Sequence, residues 1–211
     1  MKLLDKDIRE PLFDYLETEF GKVRIFEEKN MGDSRADIVM VMPNKVAGIE
    51  IKSDADSYTR LKSQVKDYDL FFDYNYLVVG STHAKSACDH VPEHWGIISV
   101  EYLEDRVDIY KLRDASKNPN LDMFKKVRLL WRPEIAHIQS VCGLPAYKGK
   151  SKDFVRQVIV ERIDGDKLNE LISYELFERD YSTIAEEIKA YRQLQNPNKI
   201  VRKKKKRYRR R

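Results

Sequence analysis

The stretch from Asp37 to Lys52 constrains this chain more than any other. Asp37-Ile38-Val39-Met40-Val41-Met42 and Val46-Ala47-Gly48-Ile49-Glu50-Ile51-Lys52 are apolar runs of strand length joined through Pro43-Asn44-Lys45, which predicts a β-hairpin. Side chains alternate across a strand, so Glu50 and Lys52 share one face while Ile49 and Ile51 take the other. A turn at Asn44-Lys45 sets Asp37 opposite Lys52, and a turn at Pro43-Asn44 sets it opposite Glu50. Both registers bring the three polar groups onto one face. Two crowded carboxylates resist ionising together unless a cation lies between them, and hard oxygen ligands favour Mg²⁺ or Mn²⁺. A lysine beside such a cation can hold or help deprotonate a water, which equips a site to hydrolyse a phosphodiester. The same triplet also reads as an ion pair on a half-buried surface hairpin, where Glu and Lys alternate with Ile.

The order of elements around the hairpin separates these readings. Ile8, Leu12, Phe13, Leu16 and Phe20 recur at helical spacing and Gly21 closes the run, which predicts a helix over residues 5–20. Val23-Arg24-Ile25-Phe26 reads as a strand. A second helix is expected from Tyr58 to Phe72, and Leu77-Val78-Val79-Gly80 reads as a buried strand reached by a right-handed crossover. The resulting order is helix, three strands, helix, strand.

With that order and Asp37 followed by Glu50-Ile51-Lys52, the chain resembles the PD-(D/E)XK nuclease superfamily. Gln64-Val65-Lys66-Asp67-Tyr68 resembles the Gln-x-x-x-Tyr signature of its RecB-type branch. Ala36 stands where the motif name has Pro, a position that varies in the superfamily. The resemblance covers residues 1 to about 110. It implies an α/β fold with a restriction-endonuclease-like αβββαβ core, a central mixed sheet flanked by helices, followed here by a C-terminal helical region. It also implies a metal-dependent deoxyribonuclease. Asp37 and Glu50 would be ligands to Mg²⁺ or Mn²⁺, with the Ile51 carbonyl as a third, and Lys52 would activate water and stabilise charge on the phosphate. Gln64 would orient the lysine or a metal-bound water. Tyr68, one helical turn on, would touch substrate or pack on the sheet. Some superfamily members add an acid from the first helix, which makes Glu10 a candidate ligand, although an acid on that side of the helix reads first as a solvated surface residue. A non-catalytic nucleic-acid-binding module on the same fold and an RNA-directed nuclease are the rival functions.

Other polar positions have local readings. Glu27 and Glu28 carry the same ambiguity as Glu10. Arg35 could hold a phosphate with two hydrogen bonds, or pair with Asp33 or Glu28. Asp56 or Ser57 is expected to cap the second helix, and Asp54 is near enough to partner the lysine. His83, Cys88, His90 and His94 match no common zinc spacing, and Pro92 interrupts any helix there, so the segment reads as a loop with a short helix. Gly96 to Val100 predicts a fifth strand, paired as an edge hairpin with Val107 to Leu112.

Beyond Asp114 the composition turns from strand formers to helix formers, with a joint at Ser116-Lys117-Asn118-Pro119-Asn120. A nuclease-like domain over 1–114 and a helical domain over 121–195 are the expected division. Four helices are expected, over Leu121–Trp131, Pro133–Val141, Ser151–Arg162 and from Asp166 to Glu187 or beyond, the last broken at Asp180. Residues 134–138, Gly143-Leu144-Pro145 and 150–154 resemble a SAP-type DNA-binding unit; a helical cap over the sheet is the alternative. Ten of the 40 Lys and Arg lie in Lys199–Arg211, where no acid occurs, so the preceding residues carry thirty bases against 35 acids and the net charge of +5 comes from the tail. The tail over 196–211, with Lys203, Lys204, Lys205, Lys206, Arg207, Arg209, Arg210 and Arg211, is expected to be disordered when free and to bind nucleic-acid phosphates. The two cysteines form no disulfide framework, and no apolar run reaches bilayer length, which predicts a soluble protein of the cytoplasm or nucleoid; the resemblance implies DNA as its partner. Many such nucleases dimerise, but no self-complementary surface is legible here.

Overall fold

The hairpin and its flanking runs build one six-stranded mixed sheet with helices on both faces. The structure, a computed structural model, describes residues 2–32, 34–104 and 106–180. Helix α1 (Asp5–Phe20) precedes the antiparallel strands β1 (Arg24–Met31), β2 (Ser34–Met42) and β3 (Lys45–Lys52). Helix α2 (Leu61–Phe71) crosses over to β4 (Tyr74–Gly80), which pairs parallel to β3. Strand β5 (Gly96–Leu103) runs parallel to β4, and β6 (Arg106–Arg113) returns antiparallel as the edge, so the strands lie in chain order across the sheet.

Chemistry local to the turn selects the hairpin register. Met42 pairs with Lys45, leaving Pro43 and Asn44 as the turn. Pro presets the first position, and Asn44 adopts a φ of 60°, which its short polar side chain tolerates. Ile38 therefore faces Ile49, and Asp37 falls beside Glu50.

Alternation then divides the core. Ile38, Met40, Met42, Ala47, Ile49 and Ile51 meet Leu3 and the α1 stripe Ile8, Leu12 and Leu16. The opposite face carries Val39, Val41, Val46, Leu77 and Val79, packed with Leu61, Val65, Tyr68 and Phe71 of α2 and with Phe72 just after it. Burying each such side chain is worth about 1.5–3 kcal/mol. Gly48 lies beneath α2, where an added Cβ would overlap the rings of Phe72 and Tyr68.

Four further helices cover that second face: α3 (Met123–Val127), α4 (Arg132–Val141), α5 (Lys152–Arg162) and α6 (Gly165–Glu178). Val127, Ile135, Ile138, Val155, Ile159, Leu168 and Ile172 join the same apolar core as the α2 residues. Buried Lys126 of α3 pairs with Asp73 and bonds Asn169 of α6, while Asp73 also accepts the Val46 N–H at 2.7 Å, tying helices to sheet. The residues up to Glu178 thus form one compact unit, with the joint at 116–120 running inside it.

Two expectations need correction. Helix α2 begins at Leu61, not Tyr58, and neither Asp56 nor Ser57 caps it: Asp56 accepts the Ser53 N–H and hydroxyl at 2.8 and 2.6 Å. Helix α3 is shorter than Leu121–Trp131 because the Asp122 side chain caps it at Phe124 and Lys125, and Leu129 and Leu130 turn into the core. The expected continuation of the last helix beyond Asp180 and the basic residues Lys203 to Arg211 lie outside the described residues. Among the described residues no helix is long and apolar enough to cross a membrane.

Candidate active site

Five side chains from three elements converge where β2 begins and β3 ends. Glu50 and Lys52 point to the α2 face of β3, and the Lys52 Nζ donates to Glu50 Oε1 at 2.5 Å. Gln64, on the second turn of α2, closes the arrangement: its Oε1 accepts from Lys52 at 3.1 Å and its Nε2 donates to Glu50 Oε1 at 2.6 Å. The Tyr68 hydroxyl, four residues on, donates to Glu50 Oε2 at 2.7 Å and accepts the Asp37 N–H at 3.2 Å. Asp37 Oδ2 accepts the Ile51 N–H at 2.9 Å. Every sequence-derived residue of the Asp, Glu-x-Lys and Gln-x-x-x-Tyr patterns is therefore in this cluster.

Burial within it is graded. Glu50 is 1% exposed, Lys52 6% and Tyr68 0%, while Asp37 and Gln64 are half-buried and give the cluster its side toward solvent. Burial and the neighbouring Glu50 push the Asp37 carboxyl up to about 7, against the pull of the Ile51 N–H, Lys52 and Arg9. Burial, with the charges of Glu50 and Asp37, holds the Tyr68 hydroxyl well above the ordinary phenol range. Tyr68 is thus a neutral, fully buried donor that fixes Glu50.

The donor set fits a hard divalent cation with two carboxylates. Asp37 Oδ1 faces no protein donor among the described residues, and Glu50, which accepts three hydrogen bonds, keeps one lone-pair direction free. No third acid joins them: among the described residues no group of three or more His, Cys, Asp or Glu converges as a metal cluster. Glu10 is exposed and does not complete one. Its neighbour Arg9 is the α1 residue that reaches the site, bonding Asp5 at 2.7 Å, Glu27 at 2.9 Å and the Asp37 carbonyl at 3.5 Å. An arginine on a helix flanked by acids carries no motif, so the sequence gives no signal for it.

The remaining candidates take structural places. Arg35, 57% exposed, pairs with Glu28, which also meets Arg9 at 3.5 Å; Asp33 lies outside the described residues. Asp54 does not partner the lysine. It accepts Leu3 N at 3.0 Å, Thr82 N at 3.1 Å and the Thr82 hydroxyl at 2.8 Å, and although burial alone would raise its pKa, these bonds hold it below the usual carboxylate range. His94 bonds Asp69 at 3.0 Å, and the His83 and His90 rings pack at a tilt against Tyr58. A cavity of about 530 Å³ lies at the turn end of the hairpin, lined by Pro43, Asn44, Leu171, Tyr174 and Phe177, away from this cluster.

The family model described as bacteriophage P4 protein cII matches residues 2–200. The chain belongs to that family. The match takes in the whole described fold of this family member, both the sheet bearing the cluster and the helices packed on it. No curated protein and no solved structure matches the chain.

Proposed function

We propose that the protein is a metal-dependent nuclease of the PD-(D/E)XK kind that hydrolyses phosphodiester bonds in DNA. What carries the reading is the convergence of Asp37, Glu50, Lys52 and Gln64, four polar side chains brought from β2, β3 and α2 to one point beside the half-buried Asp37. The element order α1, three antiparallel strands, α2 and a strand parallel to β3 agrees with the core that the superfamily uses.

A Mg²⁺ or Mn²⁺ held by Asp37, Glu50 and the Ile51 carbonyl would lower the pKa of a bound water and polarise the phosphoryl oxygen. The chain's own groups supply the rest. Lys52 presents an ammonium to the developing phosphorane charge and orients the attacking water. Gln64 holds that amine in place, Tyr68 fixes the Glu50 carboxylate, and Arg9 secures the backbone at Asp37. Holding groups in register is worth more to a hydrolysis than the strength of any single contact.

Incubating the full-length protein with labelled DNA and Mn²⁺ beside Lys52→Ala tests this. The parent should cut, and the variant should lose at least about a hundredfold in rate while melting as a folded protein. Equal cleavage by the two would reject the assignment. The burial of Glu50, with both oxygens bonded inside the protein, favours a second reading as a non-catalytic DNA-binding module braced by this network. DNA binding without metal-dependent cutting by the parent would select it.

A further inference from the structure

Strands β3 and β4 are parallel and leave the sheet side by side, Lys52 opposite Val79, so the segments that follow them share one rim next to the cluster. Ligands of parallel sheets sit outside such carboxyl ends. The two segments are knitted together: Asp54 takes the Thr82 N–H and hydroxyl, His83 Nε2 lies 3.1 Å from the Asp56 carbonyl, and the Tyr58 hydroxyl donates to the His83 carbonyl at 3.3 Å. Gly80 is required where β4 ends, since a Cβ there would run into Asp54.

This rim holds an aromatic cluster. The Tyr58 ring lies 4.8 Å from the His83 ring at an angle of 57° and 4.0 Å from the His90 ring at 35°, and His90 is exposed. Two residues beyond Tyr58 and His83 in the chain stand Arg60 and Lys85, exposed cations that make no ion pair among the described residues. Arg60 is the N-terminal cap residue of α2, one turn before Gln64, whose N–H bonds the Arg60 carbonyl at 3.1 Å. The acids nearby are Asp54 and Asp56, turned inward onto Thr82 and Ser53, with exposed Asp89 and Glu93 beyond.

Resting on the nuclease reading, we propose that this rim receives an unpaired strand, which makes the substrate of the site single-stranded DNA or a frayed end. Packed rings ending in an exposed imidazole offer a π surface to an unpaired base, and the exposed cations beside them meet its phosphates; a base inside a duplex has no free face to give. The rings orient the strand so that its backbone runs along the rim toward Asp37 and Lys52.

The test reads binding, not cutting, so that its failure and a failure of the nuclease reading are separable. Full-length protein in EDTA is titrated into a fluorescein-labelled DNA strand of about 20 nucleotides, the same sequence as a blunt duplex, and the same sequence as RNA, and anisotropy is followed across salt concentrations. The DNA strand should bind at least about tenfold more tightly than the duplex. His90→Ala should lose about tenfold on the strand with an unchanged salt dependence, and His90→Phe, which keeps a ring, should restore it. Arg60→Ala should weaken the strand and lower the salt slope by about one. Unchanged strand binding by His90→Ala, no rescue by His90→Phe, a duplex bound as tightly as the strand, or RNA bound more tightly than DNA would each overturn the proposal.

Discussion

Asp37 stores the electrostatic tension of this molecule. Its carboxyl, raised to about 7, favours the protonated form in the folded chain, while the unfolded chain ionises near 4. The stability it lends is complete below about pH 4 and is lost as pH rises through 7. Metal-free protein should therefore lose stability over that window, and Mg²⁺ should flatten the dependence. Asp37→Asn removes the repulsion with Glu50 and should stabilise the metal-free protein at pH 8 by roughly 1 kcal/mol while abolishing cleavage. Urea melts in EDTA at pH 5 and pH 8 measure both effects, and a variant less stable than the parent at pH 8 would contradict the charge balance drawn here. The residues of this cluster were legible in the sequence because alternation alone places Glu50 beside Lys52. Arg9 was not, since its role depends on how α1 crosses β2, and no local pattern records that.

At the scale of the element, the contact between α2 and β3 decides the site. Gly48 lets Tyr68 and Phe72 approach the strand closely, and that approach brings Gln64 and the Tyr68 hydroxyl onto Glu50. Gly48→Ala should cost about 2–3 kcal/mol by overpacking and should lower the cleavage rate beyond what the lost stability explains, because α2 must retreat from the lysine. A thermal melt with single-turnover kinetics checks it; a variant with parental stability would mean that the rings move aside freely. Periodicity placed α1, the hairpin and β4 within a few residues of their ends. It placed the start of α2 three residues early, because Asp56 looks like a cap by type but spends its carboxylate on Ser53.

For the whole molecule, the helices after the 116–120 joint are part of the same core. Ile135, Ile138, Ile159 and Leu168 share one apolar cluster with Val39, Val41, Leu77 and Phe72. A fragment of residues 1–114 would expose that face and should show no cooperative melt by circular dichroism; an independently folding fragment would separate the two regions after all. The tail belongs to this scale through charge alone. With ten Lys and Arg between 199 and 211 on a body carrying an acidic surplus, deletion of that segment should weaken DNA binding and flatten its salt dependence, read from anisotropy titrations. A slope unchanged by deletion would remove the tail from the interface.

Alternation along β2 and β3, the helical stripe of α1 and the charge of the tail are properties of neighbouring residues, so the amino-acid order alone determined them. Whether Asp37 would face Glu50 or Lys52, that the Tyr68 hydroxyl would hold Glu50, and which residue of α1 would reach the cluster were decided by tertiary structure. The two-residue turn at Pro43-Asn44, the depth of α2 on Gly48 and the crossing of α1 over β2 set distances between segments far apart in the chain, and spacing along the chain does not encode such distances.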